Sequence, residues 1–535
     1  APGWTTTLSP TRAPSALPIG NSKAVTGSQV EIFKPHNVSE TGITDQSLQC
    51  LAYFQNRMKP ILPLLLSLTL LAGRTAAQTP AGKPRLVVLT DIENEPDDSQ
   101  SLVRLLLYAN QVDIEGLIAT TSIHLQKRVA PETIHRIVDA YGRVQPNLLK
   151  HEPGYPTAQA LKALIKKGLP KYGMTGVGEG NDSEGSAWII RQLDKADERP
   201  LWVPVWGGVN TLAQALWTIR KTRTPEQAGR LYRKLRVYTI SDQDDSGPWI
   251  RKEFPDVFFV VSPGYGYEHA TWTGINTREP GTYPETIADA WLTEHIQQGH
   301  GPLGALYPDV AFGMEGDTPS FLGLIPNGLN NPEHPDWGGW GGRYVLQQPK
   351  LVPSAQKPVG TPPEVPETRA IWTNAADSVL TPVRFVAAAP ANEAKPRKSI
   401  QATIWRWRPE FQNDFAARMD WCTKPYAQAN HPPVPKLSHP ESLTVKSGET
   451  FYLRAADSTD PDGDGLSFRW MQYPEAGTFP GVVRYENFVS NIYEARPVAP
   501  TVTSPQTIHF ILKVTDKGTP ALTRYKRVIV QVVPK

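Results

Sequence analysis

The sequence predicts an α/β domain with a mostly parallel sheet flanked by helices, followed by a small immunoglobulin-like β-sandwich. Three observations carry that prediction. Between Lys83 and Tyr344, continuous apolar runs alternate with segments of helical period. After residue 440 the chain turns to short strands of alternating polarity divided by turn residues. The two styles are separated by HPPVPKLSHP (431–440), a proline-rich linker.

In chain order, RLVVLTD (85–91) reads as a buried parallel strand, because it is apolar without alternation. SQSLVRLLLYAN (99–110) reads as a helix, with Leu102/Leu106 and Val103/Leu107 at i,i+4. IEGLIATTS (114–122) is a second strand, and a helix follows around 131–141. GSAWIIRQLDKA is helical, LWVPVWGG a strand and NTLAQALWTIRKT helical; LRVYTISDQ and DVFFVVSPG are further strands. This βαβα rhythm over 83–344 is that of an α/β domain. Residues 345–430 are less regular and read as a bridging extension, with ATIWRWRPEFQNDFAARMDW helical and aromatic. In 441–535 the expected strands are SLTVKSG, TFYLRAAD, LSFRWMQY, TIHFILKVTD and RYKRVIVQVV.

Charged residues make up 20% of the 535, and the formal net charge is +3, which gives no electrostatic footprint for nucleic acid. Residues 1–57 lack periodic patterning and read as an extension ahead of the true start. MKPILPLLLSLTLLAGRTAAQTP follows, with Met58 and Lys59, an apolar stretch from Ile61 to Gly73, and small residues before Gln78. That layout predicts a secretory signal peptide over 58–77, against the alternative of a short buried helix. The protein is therefore expected to be exported, to the periplasm or beyond, with no membrane-spanning segment in the mature chain. Cleavage near Ala77 removes Cys50 and leaves Cys422 without a partner, so stability must come from core size or a bound metal.

The first strand ends in acid: Asp91, Glu93, Glu95, Asp97 and Asp98 precede the first helix. Ligands of open parallel sheets bind at the carboxyl ends of strands. Carboxylates converging there need a cation, and hard oxygen donors suit Ca²⁺. Helix capping is the competing reading; it accounts for Asp97 or Asp98 but not for Asp91 at a strand end.

This strand, loop and helix resemble the start of nucleoside hydrolases, whose motif is D-T-D-P-G-x-D-D. Asp91 matches the second aspartate, and Asp97 and Asp98 match the final pair. Leu89 stands in place of the first aspartate, the loop is two residues longer and the Gly is missing. The longer loop is similar to that of a bacterial cellulose-binding, nucleoside-hydrolase-like family with a C-terminal sandwich. WGGVNTLAQAL resembles G-P-L-T-N-L-A-x-A-L, and GMEGDTPSF resembles the late H-D-P segment. The resemblance implies a Ca²⁺ site of Asp91, Asp98, the Asn210 backbone carbonyl and Asp317, with Asp97 supporting it from behind. It also implies that Asp91 is the general base in hydrolysis of an N- or O-glycosidic bond. The family's His is replaced by Gly316, with Glu315 beside it, so the leaving-group acid is not assigned. The alternative is a non-catalytic carbohydrate-binding protein, for cellulose, using the same pocket.

Further candidate substrate contacts are Asp242 and Asp245 in SDQDDSGPW, Glu184 in GNDSEGS, Glu315 in GMEGDTPSF, and Trp337 and Trp340 in WGGWGGRY. Aromatic faces stack on sugar rings. Each has a plainer reading: a solvated acidic loop, a helix cap, and packing against the next domain. His124 in TTSIHL reads as structural. DPDGDG (460–465) opens like an EF-hand loop, but Met471 stands where its bidentate Glu is required, so it reads as an acidic turn. The expected partner is a carbohydrate or glycoside, and a homo-oligomer is compatible with the sequence.

Overall fold

The computed structural model describes residues 82–350, 361, 364–380, 396–486 and 493–535. The expected signal peptide, the extension before it and Cys50 lie outside them. β1 (Arg85–Thr90), β2 (Asp113–Ala119), β3 (Ile165–Lys167), β4 (Leu201–Val205), β5 (Leu235–Ser241) and β6 (Phe258–Ser262) are parallel strands of one sheet that, with β7 (Tyr344–Gln347) and β8 (Ile371–Asn374), has eight strands in the order β3-β2-β1-β4-β5-β6-β8-β7. β8 joins β6 in parallel, and β7 closes the edge antiparallel to β8.

β1 is buried along its whole length, as an apolar run without alternation requires. Its side chains alternate between two cores. Leu86 and Val88 pack with α1 (Pro96–Leu107) and α2 (Pro131–His151). Val87 and Leu89 pack with α3 (Glu184–Leu193) and α4 (Asn210–Thr222). Helices therefore cover both faces of β1, and a cavity opens at its carboxyl end. α5 (Ser246–Glu253) follows β5 on the same sheet.

The sheet draws its last two strands from residue 344 onward. β7 and β8 complete the sheet, and α6 (Arg408–Asp420) packs on α1. Tyr108 donates to Asp414 at 2.7 Å, and Arg418 Nη1 donates to the Leu107 carbonyl at 2.9 Å. Two short edge strands around a long connection carry too little periodicity to be read as sheet.

The C-terminal region is sheet-rich. β9 (Ser442–Lys446), β10 (Ser467–Gln472), β11 (Gln506–Thr515) and β12 (Thr523–Val533) form a sheet of order β9-β12-β11-β10. Its Phe510, Leu512, Val514, Val528, Val530 and Val532 share a core with Phe451, Leu453, Ala495 and Ala499 from short facing segments. Of the expected strand TFYLRAAD, only Leu453–Arg454 pairs as strand. Cys422 is buried and unbridged. Among the described residues no helix is long and apolar enough to cross a membrane.

Candidate functional site

At the end of β1 the chain turns sharply: Asn94 N–H donates to the Asp91 carbonyl at 3.0 Å. α1 then begins at Pro96, so Asp97 and Asp98 occupy its first turn, where the positive end of the helix dipole favours carboxylates. Asp317 arrives from a distant loop. That loop is fixed by Glu315, which is fully buried and ion-paired with Arg104 of α1 at 2.5 Å. Glu315 also accepts from Tyr307 at 2.7 Å, and its N–H donates to Gln100 at 2.9 Å. Its φ of 50° lies in the left-handed region, a conformation that surrounding contacts must hold. Thr318 ties the same loop to Ser101 at 2.9 Å.

The result is a carboxylate cluster. Asp97, Asp98 and Asp317 each present an oxygen within 4.8 Å of the others. Asp91 joins them on the wall of a cavity of about 300 Å³ at the carboxyl ends of the strands, also lined by Asn94, Glu95, His124, Trp206, Gln243, Tyr267, Trp272, Asn276 and Phe312. Thr90 donates to one oxygen of Asp98. Asp91 Oδ2 and Asp317 Oδ2 are buried and accept from no donor. Burial, then the charge of Glu95, pushes the Asp91 carboxyl up to about 7. Burial, then Glu95 and Asp91, pushes Asp97 up to about 7 as well. Asp98 and Asp317 are raised well above the ordinary range, first by burial and then by the neighbouring aspartates. No Lys or Arg is among the described residues lining the cavity. The donor set is all oxygen, the chemistry a hard cation such as Ca²⁺ takes.

The family model described as cellulose-binding Sde182, nucleoside hydrolase-like domain matches residues 85–344, and the one for the C-terminal domain of cellulose-binding protein Sde0182 matches 450–532. A solved nucleoside hydrolase-related hypothetical protein from Saccharophagus degradans, described as associated with carbohydrate metabolism, is 35% identical. The alignment covers 85% of this chain and all of that one, with a TM-score of 0.69. The chain belongs to this family. A PKD domain from the KIAA 1837 protein matches at 21% identity over 20% of this chain and 92% of that one, with a TM-score of 0.15, too low to bear on the fold. No curated protein matches the chain.

Within this nucleoside-hydrolase-like chain, the other expected contacts are placed differently. Asp97 stands in the cluster beside Asp98 and Asp317, not behind it. Asn210 is the first residue of α4, where a backbone carbonyl points along the helix to its i+4 partner. Its side chain accepts from Thr120 at 2.9 Å and donates to the Lys171 carbonyl at 2.6 Å, and it does not line the acidic cavity. The preceding glycine explains the WGG motif: a Cβ on Gly207 would lie 2.7 Å from Asp91 Oδ1.

Asp242 is held by Arg251 through both oxygens, at 2.8 and 2.9 Å, and Asp245 accepts from Met174 N–H at 2.7 Å. Both border a neighbouring cavity rather than the acidic one. Glu184 sits exposed at the start of α3, beside its Ser183 cap, away from the cavity. Glu315 faces Arg104, so it cannot reach a ligand. Trp340 has no exposed surface; its Nε1–H donates to Tyr525 at 3.2 Å. Trp337 stacks on His334 at 3.9 Å and meets His509 edge-on. Trp340 therefore serves packing against the C-terminal sheet, and Trp337, half-buried, touches that sheet through His509.

Gly316, at the position of the nucleoside-hydrolase His, leaves no room for a side chain. A Cβ there would stand 2.8 Å from Asp97 Oδ2 and 2.9 Å from the Trp272 ring. Trp272, Tyr267, Asn276 and Phe312 were not read from the sequence as site residues. They sit after β6, Tyr267, Trp272 and Asn276 in short 3-10 turns and Phe312 on a later loop, where no periodic signal marks them. The acidic turn at Asp460 closes on itself, with Asp460 Oδ1 accepting from Asp462 N–H at 2.9 Å and Asp464 N–H at 3.1 Å.

Proposed function

We propose that this protein is an exported, Ca²⁺-dependent hydrolase of a glycosidic bond in a carbohydrate, acting in the acidic cavity. One observation carries the reading: Asp91 Oδ2 and Asp317 Oδ2 are buried without a donor beside Asp97 and Asp98. Four carboxyl groups kept together with unmet acceptors are poorly explained by capping, which serves only the first turn of α1. Asp91, Asp97, Asp98 and Asp317 would hold the ion. Bound Ca²⁺ supplies the counter-charge and makes water in the cavity more acidic. Asp91, at the strand end with one free oxygen, is placed to take a proton from the attacking water. Trp206 and Gln243 brace that wall: Trp206 Nε1–H donates to Ser320 at 3.0 Å, and Gln243 donates to the Trp206 carbonyl at 2.6 Å. The family's description as cellulose-binding supports a carbohydrate as the ligand.

A second reading is a carbohydrate-binding protein that keeps the pocket without turnover. It is favoured by Gly316, which removes the nucleoside-hydrolase acid, and by Phe312, which lines the cavity while 83% exposed. Calorimetric Ca²⁺ titration of the mature chain and of Asp91→Ala, beside hydrolysis of a glycoside panel, separates the two. Binding and turnover lost together in the variant is the expected result. Ca²⁺ binding with retention on cellulose but no turnover favours the second reading, and no Ca²⁺ binding removes both the ion and the mechanism.

A further inference from the structure

Breaking a glycosidic bond to a poor leaving group needs a proton delivered to the departing oxygen. Gly316 cannot supply it, and Trp272 occupies the space a side chain there would need. The ring of Tyr267 meets Trp272 edge-on at 5.6 Å, so the wall that excludes the usual acid presents a phenol instead. Tyr267 Oη lies 3.2 Å from His124 Nε2, and both residues line the acidic cavity. They reach it from separate loops, after β6 and after β2, and His124 is solvent-exposed. From this geometry we propose that Tyr267 is the catalytic acid for the leaving group and that His124 is the positioning residue that restores its proton. The inference rests on the hydrolase reading above.

The protons balance as follows. The bond from the anomeric carbon to the leaving oxygen breaks, and its electron pair stays on that oxygen, which takes the Tyr267 hydroxyl proton. The tyrosinate is reprotonated through neutral His124, whose Nε2 proton passes to Tyr267 while Nδ1 takes one from solvent. Water adds to the anomeric carbon and gives its proton to Asp91. The products are a sugar hemiacetal and the alcohol of the leaving group, with no net proton consumed once Asp91 returns its proton to solvent.

The test compares methyl β-cellobioside, a poor leaving group, with 4-nitrophenyl β-cellobioside, a good one, in the Ca²⁺-loaded protein. Tyr267→Phe is expected to lower kcat/KM for the methyl glycoside about 100-fold or more. The loss for the nitrophenyl glycoside should be at least tenfold smaller. His124→Gln should show the same leaving-group dependence in weaker form. Ca²⁺ affinity, read by calorimetry, should stay within about threefold in both variants, which shows that the cavity is intact. Equal losses on both substrates, or a leaving-group dependence carried by Glu95→Gln instead, would overturn the assignment while leaving the hydrolase reading standing. Failure of the unaltered protein on both substrates would remove the hydrolase reading and this acid with it.

Discussion

Asp91 is 2% exposed and carries an oxygen with no donor, and Asp317 shares both properties. Such groups oppose folding when ionised and empty. The Asp91 carboxyl is shifted from 3.8 to about 7, mainly by burial. Between those values the folded chain keeps a proton that the unfolded chain has released. Stability of the metal-free protein must therefore be greatest at the acidic end of that window and fall as pH rises through about 7. The slope is about 1.4 kcal/mol per pH unit for each retained proton. Asp97 is shifted in the same direction. Thermal unfolding in EGTA should show Tm declining from pH 5 to pH 8. Added Ca²⁺ should reverse the trend, because the ion binds the deprotonated cluster. By the same argument Asp317→Asn should raise the metal-free Tm while abolishing Ca²⁺ binding. A lower Tm in that variant would contradict this account of the cluster.

At the level of elements, the site is a strand end, a helix start and one loop brought to them. The first two are consecutive in sequence, so Asp91, Asp97 and Asp98 were legible from local pattern alone. Asp317 was reached only through the resemblance of GMEGDTPSF, because nothing local says that this loop returns to β1. Its return is enforced by Arg104 on α1. Arg104 donates to Glu315 at 2.5 and 3.1 Å and to the Phe411 carbonyl at 3.1 Å, and its guanidinium lies 3.9 Å over the Phe415 ring. Glu315→Gln should leave Arg104 buried without its counter-charge, which costs about 3–5 kcal/mol. Chemical denaturation would measure that loss. Because Asp317 lies two residues on, the variant should also bind Ca²⁺ more weakly, although Glu315 does not face the cavity. A variant that loses stability but keeps full Ca²⁺ affinity would show that the loop holds its place without the ion pair.

For the whole molecule, the C-terminal sheet is a buttress of the α/β body. Trp340 packs edge-on against Phe411 and Tyr525, and Arg527 Nη2 donates to the Leu329 and Gly338 carbonyls at 2.9 and 2.8 Å. Tyr525 N–H donates to the Asn327 carbonyl at 3.0 Å. Trp340→Ala should destabilise the protein by about 3–5 kcal/mol, measured by denaturant titration. It should leave cellulose retention unchanged, since the ring reaches no solvent. Loss of retention in a folded variant would return Trp340 to the ligand surface. The sequence by itself determined the α/β order, the location of the ligand rim and the acidic turn after β1. Those follow from hydrophobic period and from residues adjacent in the chain, and local physics suffices for them. Only the tertiary structure decided that Trp340 is core, that Asn210 and Asp242 are held by neighbours, and that Tyr267 and His124 share a cavity with Asp91. Each of these depends on a partner far away in the chain, and burial and pairing are properties of the partner as much as of the residue.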